Sequence, residues 1–118
     1  MSKRGDVEFL RDIQEAIRRI RSYIEDMSYN GFLKDLKTED AVVRNIEIIG
    51  EAVKNLSLDF KEKHDKIEWK KIAGTRDKII HFYFGVNWDI VWDIIKNRLP
   101  VLEEEIQRLI EKEFEGVR

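Results

Sequence analysis

Arg76, Asp77, Lys78, His81 and Tyr83 fall inside one short stretch, "TRDKIIHFYFGV" at 75–86, that is otherwise rich in large apolar residues. A histidine changes charge near neutral pH and can carry a proton to or from a reacting oxygen. A guanidinium matches a phosphate through parallel N–H donors and stabilises the extra negative charge of a transition state. Together these types suit cleavage of RNA by its own 2′-oxygen. His81 would move a proton between the 2′-hydroxyl, or the leaving oxygen, and solvent, and a cyclic phosphate would remain. Such chemistry asks the protein for neither a nucleophile nor a metal. The chain offers little of either: it has no cysteine, and its two histidines, His64 and His81, have no metal-ligand spacing. No cofactor is expected.

The spacing predicts a third helix running from about Trp69 through this stretch to a stop near Gly85. On that helix Asp77 and His81, at i and i+4, share a face, so the carboxylate can orient the imidazole and favour its cationic form. Arg76 and Tyr83 nearly superpose two turns apart. Arg76 and His81 diverge by roughly 140° on an ideal helix. Three arrangements reconcile that angle with joint action: a guanidinium stem reaching round, a helix distorted near His81, or a second copy facing this helix across a two-fold axis. The third is the expectation here. Composition alone favours a plainer arrangement, with a buried His81 bonded to Asp77, Arg76 in a surface pair, and Phe82 and Tyr83 packing the core.

The elements that must position these residues are amphipathic helices. Leu10, Ile13, Ile17, Ile20, Ile24 and Met27 recur at steps of three and four, and Asp6 is placed to cap that first helix. "SYNGFLKDLKT" interrupts the pattern around Gly31. A second helix is predicted from Thr38, with the hydroxyl as cap and Glu39 and Asp40 at the positive end of the dipole. Its stripe is Val42, Ile46, Ile49, Val53 and Leu56, with Gly50 and Ala52 small enough for another helix to come close. Ser57 and Asp59 predict a fresh start and a short helix to about Lys63. Asn87 caps a fourth helix with Ile90, Val91, Ile94 and Ile95 inward. Pro100 resets the chain, and Leu102, Ile106, Leu109 and Ile110 carry the stripe to about Phe114. No strand alternation, repeat or linker is visible. The prediction is an all-α, four- to five-helix up-and-down bundle, one domain over 1–118.

At 118 residues the chain is long enough for one real core. Charged residues make up 39% and the formal charge is −2, which argues against a generally basic coat; a polyanion must be met locally. Residues 61–81 supply a patch: seven Lys or Arg (Lys61, Lys63, Lys66, Lys70, Lys71, Arg76, Lys78) against four acids (Glu62, Asp65, Glu68, Asp77). His64 reads as a surface residue. No apolar run approaches the roughly 18 residues of a membrane span, and no secretory leader is legible, so a cytoplasmic protein without membrane contact is expected.

In its surroundings the stretch is more specific. "RDKIIHFYFGV" matches the R-x-x-x-x-H-x-Y signature of the HepT family, within the HEPN superfamily. The similarity extends to "AVVRNIEIIGEAVKNLS" at 41–57, "IEWKKIAGTRD" at 67–77 and "VWDIIKNRLPVLEEEI" at 91–106, almost the whole chain in order. The resemblance implies a HEPN-like helical homodimer with the motif in a cleft at the dimer interface. It implies a metal-independent ribonuclease, the toxin of a type VII-like toxin–antitoxin pair, with RNA as substrate. Arg76 and His81 fall on the catalytic arginine and histidine, with Asp77 and Lys78 in support. Tyr83 falls on the tyrosine to which the antitoxin, a minimal nucleotidyltransferase (MNT), adds AMP to silence the toxin. Asp77 stands where many relatives carry Asn. Arg44, Asn45, Glu47 and Glu51 also match the pattern, as residues beside the cleft or on a solvated face. Two other readings stay open: a catalytically inactive HEPN module that binds nucleotide or MNT, and a structural helical oligomer.

Overall fold

The computed structural model describes residues 5–81 and 85–115; the side chains of His81 and Glu115 lie outside that description. Helix α1 (Asp6–Tyr23) opens with Glu8 accepting a hydrogen bond from the Gly5 amide at 2.6 Å, half of a capping box. Asp6 is not the cap. Its carboxylate instead accepts from the Ser57 amide at 2.7 Å and the Ser57 hydroxyl at 2.8 Å, 51 residues away. Ser57 in turn accepts from the Phe60 amide and starts α4 (Leu58–Lys63), as its sequence position predicts. One serine thus ties the beginning of α1 to the beginning of α4.

Between them lie a short helix, α2 (Tyr29–Leu33), and the long α3 (Leu36–Asn55). Helix α3 starts two residues earlier than the Thr38 prediction. Asp35 is the cap, and Thr38 supplies the amide it accepts at 3.1 Å. That shift places Glu39 on the inner side, only 4% exposed. Burial, followed by the neighbouring charges of Asp40 and Asp35, raises its pKa above the ordinary carboxylate value.

The apolar stripes meet as predicted. Leu10, Ile13, Ile17 and Ile20 of α1 and Val42 of α3 are completely buried. Helix α1 packs chiefly on α3 and also on α8 (Leu99–Ile110), whose Leu102, Ile106, Leu109 and Ile110 are buried. Burying each such side chain contributes about 1.5–3 kcal/mol, which is what holds helices of mixed propensity together. An aromatic cluster locks α2 to α7 (Trp88–Asp93): Phe32 lies 5.6 Å from Trp88 edge-on and 5.1 Å from Trp92, and Tyr29 donates its hydroxyl hydrogen to Asp89.

Pro100 does not reset the chain. The helix runs on from Trp88 through a π turn at Ile94–Arg98 into α8, with the Leu99 amide bonded back to the Ile94 carbonyl. A proline lacks the amide that would continue an α ladder and crowds the carbonyl four residues back. A widened turn just before it accommodates both. The structure is mostly helical, as expected of an all-α HEPN domain, and among the described residues no helix is long and apolar enough to cross a membrane.

Candidate functional site

The predicted third helix is three pieces. Helix α5 (Trp69–Ala73) is followed at Gly74 by α6 (Thr75–Ile79), and then the backbone becomes extended. Strands β1 (Ile80–His81) and β2 (Gly85–Val86) pair antiparallel, with Ile80 opposite Val86 and His81 opposite Gly85. The Asn87 amide donates to the Ile79 carbonyl at 2.7 Å to close the ladder. Asn87 also accepts from the Ile90 amide, so one residue ends the hairpin and caps α7, as its position predicts. Gly85 is not a helix stop; it sits at φ +78° within the hairpin, a conformation that costs other residues roughly 1–2 kcal/mol.

This break changes the geometry of the motif. Asp77 is in α6 and His81 in β1, so they do not share a helical face. The Asp77 carboxylate is 88% exposed and lies 3.9 Å from the Arg76 guanidinium. The 140° divergence between Arg76 and His81 assumed a straight helix, and with it goes the angular case for a second copy of the chain. The distortion alternative describes the backbone better. Position 85, across the ladder from His81, carries no side chain. Tyr83 lies outside the described residues.

Arg76 is placed by α3. Its Nε donates to the Glu47 carboxylate at 2.7 Å, with the arginine side chain 54% and the glutamate side chain 32% exposed. Glu47, by hydrogen bond and charge, holds the guanidinium even more firmly cationic than usual, with Asp77 adding a smaller push. The two line a cleft of about 430 Å³ between α1, α3 and α5–α6, which Arg44, Glu51 and Lys54 also line. The charged face of α3 singled out in the sequence is therefore beside Arg76. Asn45 is not on that face: it is 4% exposed, with Nδ2 bonded to the Ala41 carbonyl.

The approach of α5–α6 to α3 depends on Gly50. A Cβ there would lie 3.2 Å from the Ala73 carbonyl oxygen, so the absence of a side chain sets how closely the motif rests on α3. Thr75 secures the junction from the other side, donating its hydroxyl hydrogen to the Lys71 carbonyl at 3.0 Å. Lys78, expected to support Arg76, instead lines a separate groove on the opposite side of α6.

His64 departs from its surface assignment. Its side chain is only 10% exposed, lies tilted against Phe60 with ring centres 4.7 Å apart, and meets Glu113 at 2.9 Å. Lys63 reaches the same carboxylate at 3.0 Å, and these contacts, that of Lys63 foremost, lower the Glu113 pKa. Of the other lysines in the basic stretch, Lys61 bonds the Val53 carbonyl and Lys71 pairs with Glu68 at 3.0 Å.

A mostly helical domain whose sequence carries R-x-x-x-x-H-x-Y at 76–83, with the arginine on a short helix and the His81 backbone in a strand, fits a HEPN-type protein, and comparison with known proteins gives the family. The family model "Ribonuclease HepT-like" matches residues 13–109. The Methanocaldococcus jannaschii protein named "Putative RNase MJ0127" is 47% identical over 116 residues, covering 98% of this chain and 95% of that one. "Probable ribonuclease HepT" of Thermococcus cleftensis is 43% identical over 107 residues, covering 91% and 97% respectively. The chain belongs to the HepT-like ribonuclease family. No solved structure matches it.

Proposed function

We propose that this protein is a metal-independent endoribonuclease, cytoplasmic, acting as the toxin of a type VII-like toxin–antitoxin pair. The observation that carries the reading is the end of α6 at Ile79. Extended backbone at Ile80–His81 releases His81 from the helical phase of Arg76, which removes the obstacle to both acting on one phosphate. In the proposed step the 2′-oxygen attacks the adjacent phosphorus, the bond to the 5′-oxygen breaks, and a 2′,3′-cyclic phosphate and a 5′-hydroxyl result. His81 takes the proton of the 2′-hydroxyl or returns one to the leaving oxygen, and Arg76 stabilises the charge on the phosphoryl oxygens.

The family resemblance supports the remaining parts. The protein acts as a homodimer, and an MNT-type nucleotidyltransferase silences it by adding AMP to Tyr83. An adenylylated tyrosine would bring a phosphate to Arg76 in place of RNA, by the same charge pairing. Replacing His81 or Arg76 by Ala should abolish RNA cleavage in the presence of a chelator while leaving the helical circular-dichroism spectrum unchanged. Cleavage by purified His81→Ala at the parent rate sinks the mechanism. Co-expression with an MNT-type transferase should add AMP mass increments to the intact chain that vanish in Tyr83→Phe.

A second reading has an observation of its own. Glu47 already occupies the guanidinium at 2.7 Å, and Asp77 adds an acid beside it, an arrangement that also suits an inactive module binding nucleotide or the transferase. Under that reading the parent protein cuts no RNA, and both alanine variants keep their affinity for the transferase.

A further inference from the structure

We infer that the groove on the far side of α6 from Arg76 is a track for the phosphate backbone of single-stranded RNA, leading to the motif. It rests on the ribonuclease reading for the identity of the polyanion. The groove encloses about 700 Å³ between α5–α6 on one wall and the π turn with the start of α8 on the other. Its floor is aliphatic, with Ile46 and Ile49 of α3 beneath. Four cations stand on its walls, Lys66, Lys71, Lys78 and Arg98, against two acids, Glu68 and Glu105. Lys71 is matched by Glu68. Lys66, Lys78 and Arg98 are exposed and have no carboxylate within ion-pair distance among the described residues.

Three unmatched cations, on the turn before α5, on α6 and on the π turn, line one groove in a chain whose formal charge is −2. The excess is therefore local to this groove and not a share of general basicity. A second copy of the chain is a poor occupant. A two-fold contact of this face with itself would set the same three cations against their own copies over an aliphatic seam. A polyanion matches the rim. Among the described residues the floor is aliphatic, which suits sugars and base faces and reads no base edge, so the contact should be tolerant of sequence. Position links the groove to the chemistry. Lys78 and Thr75 on the groove wall belong to the same five-residue helix as Arg76, so a strand in the groove runs within one helix diameter, about 10–12 Å, of the Arg76 backbone.

The test is the salt dependence of RNA binding, measured by fluorescence anisotropy with a labelled single-stranded oligoribonucleotide. It is run in a His81→Ala background, so that the probe is not consumed. Each phosphate contact on a single strand contributes roughly 0.7 to the slope of log Kd against log salt. The triple variant Lys66→Gln/Lys78→Gln/Arg98→Gln should lower that slope by about 2 and weaken binding at least tenfold at low salt. The triple variant Lys34→Gln/Lys37→Gln/Lys112→Gln, equal in charge but away from the groove, should leave the slope within experimental error. An unchanged slope in the groove variant overturns the proposal. So does a groove variant that changes the sedimentation coefficient while binding RNA normally, which would assign the face to subunit contact. If the otherwise unsubstituted protein cuts RNA but the groove variant keeps the slope, the groove alone falls. If the background variant binds no RNA at all, the substrate reading falls with it.

Discussion

Gly50 offers a direct test of whether α3 positions the motif. The perturbation is a graded series, Gly50→Ala and Gly50→Val. In the interior of α3, alanine gains about 0.8–1.0 kcal/mol over glycine from backbone preference alone. Against this, its Cβ would sit 3.2 Å from the Ala73 carbonyl oxygen and 3.8 Å from that of Ile72. Both are backbone atoms, so α5 must retreat by a few tenths of an ångström, a displacement that costs about what the helix gains. The alanine variant should melt within a few degrees of the parent. Valine adds two γ carbons whose orientation the helix restricts, and no rotation of a flexible neighbour relieves the contact. Overpacking of this kind costs about 1–3 kcal/mol. With an unfolding entropy near 2.1 cal/mol/K per residue, 118 residues give about 250 cal/mol/K, so each kcal/mol is worth about 4 °C. Gly50→Val should therefore lower Tm by about 4–12 °C in thermal unfolding followed by circular dichroism. The site should register the same movement, because Glu47 lies one helical turn before Gly50 and Arg76 three residues after Ala73. Displacing α5–α6 stretches the 2.7 Å contact between them, and misplacement of a reacting group by about 1 Å costs on the order of a hundredfold in rate. RNA cleavage measured below the melting range should drop at least tenfold in the valine variant and stay near the parent rate in the alanine variant. Equal Tm and equal cleavage in the parent and Gly50→Val would refute the reasoning. A lowered Tm with undiminished cleavage would separate packing from the site.

Other outcomes follow from burial and charge. Glu39 prefers its proton in the folded protein, so it destabilises the fold increasingly as pH rises from its ordinary value of 4.5 through its raised one. Glu39→Gln should raise Tm at pH 7, and the gain should disappear below about pH 4.5. Glu113 behaves in the opposite sense: its lowered pKa contributes stability above 4.5 that is lost as pH falls. Glu113→Gln should accordingly lower Tm at neutral pH and converge with the parent in acid. Phe32 is fully buried and joins α2 to Trp88 and Trp92, so Phe32→Ala should cost about 3–5 kcal/mol and lower the urea midpoint correspondingly.

The long helices were legible because their stripes keep the helical period: every position of the α1 pattern from Leu10 to Ile24 is buried. Ser57 and Asn87 announced two helix starts by side-chain chemistry alone. The motif segment was misread because Ile79, Ile80, Phe82, Tyr83 and Phe84 are apolar at any period, and a run of that kind fits a helix or a strand. β-Branched Ile79 and Ile80 side by side are the signal that favoured extended backbone at Ile80–His81. Asp6 and His64 show a second limit. Asp6 reads as a local cap and His64 as a surface residue, yet Asp6 bonds Ser57 and His64 bonds Glu113, partners that only the fold brings near. The same holds for Glu47 with Arg76, 29 residues apart: sequence offered Glu47 as one charge on a helix face, and the fold made it the partner of the candidate catalytic arginine.

That last pairing bears on how the motif is built. A five-residue helix is far too short to hold itself in water, so α6 takes its position from its contacts. Gly50 beneath the Ala73 carbonyl sets its distance from α3, the Thr75 hydroxyl ties it to α5, and the Asn87 amide fixes where it ends. Held there, α6 divides two surfaces. Arg76 faces the charged cleft over α3, while Thr75 and Lys78 face the cationic groove. A helix continuing through His81 would have imposed one rigid phase on all of these residues. Ending it at Ile79 lets the arginine be set by α3 and the His81 backbone by the hairpin, each through a different part of the chain. Substitution at Gly50, and Asn87→Pro, which removes the amide that bonds Ile79, should therefore affect Arg76 and His81 separately.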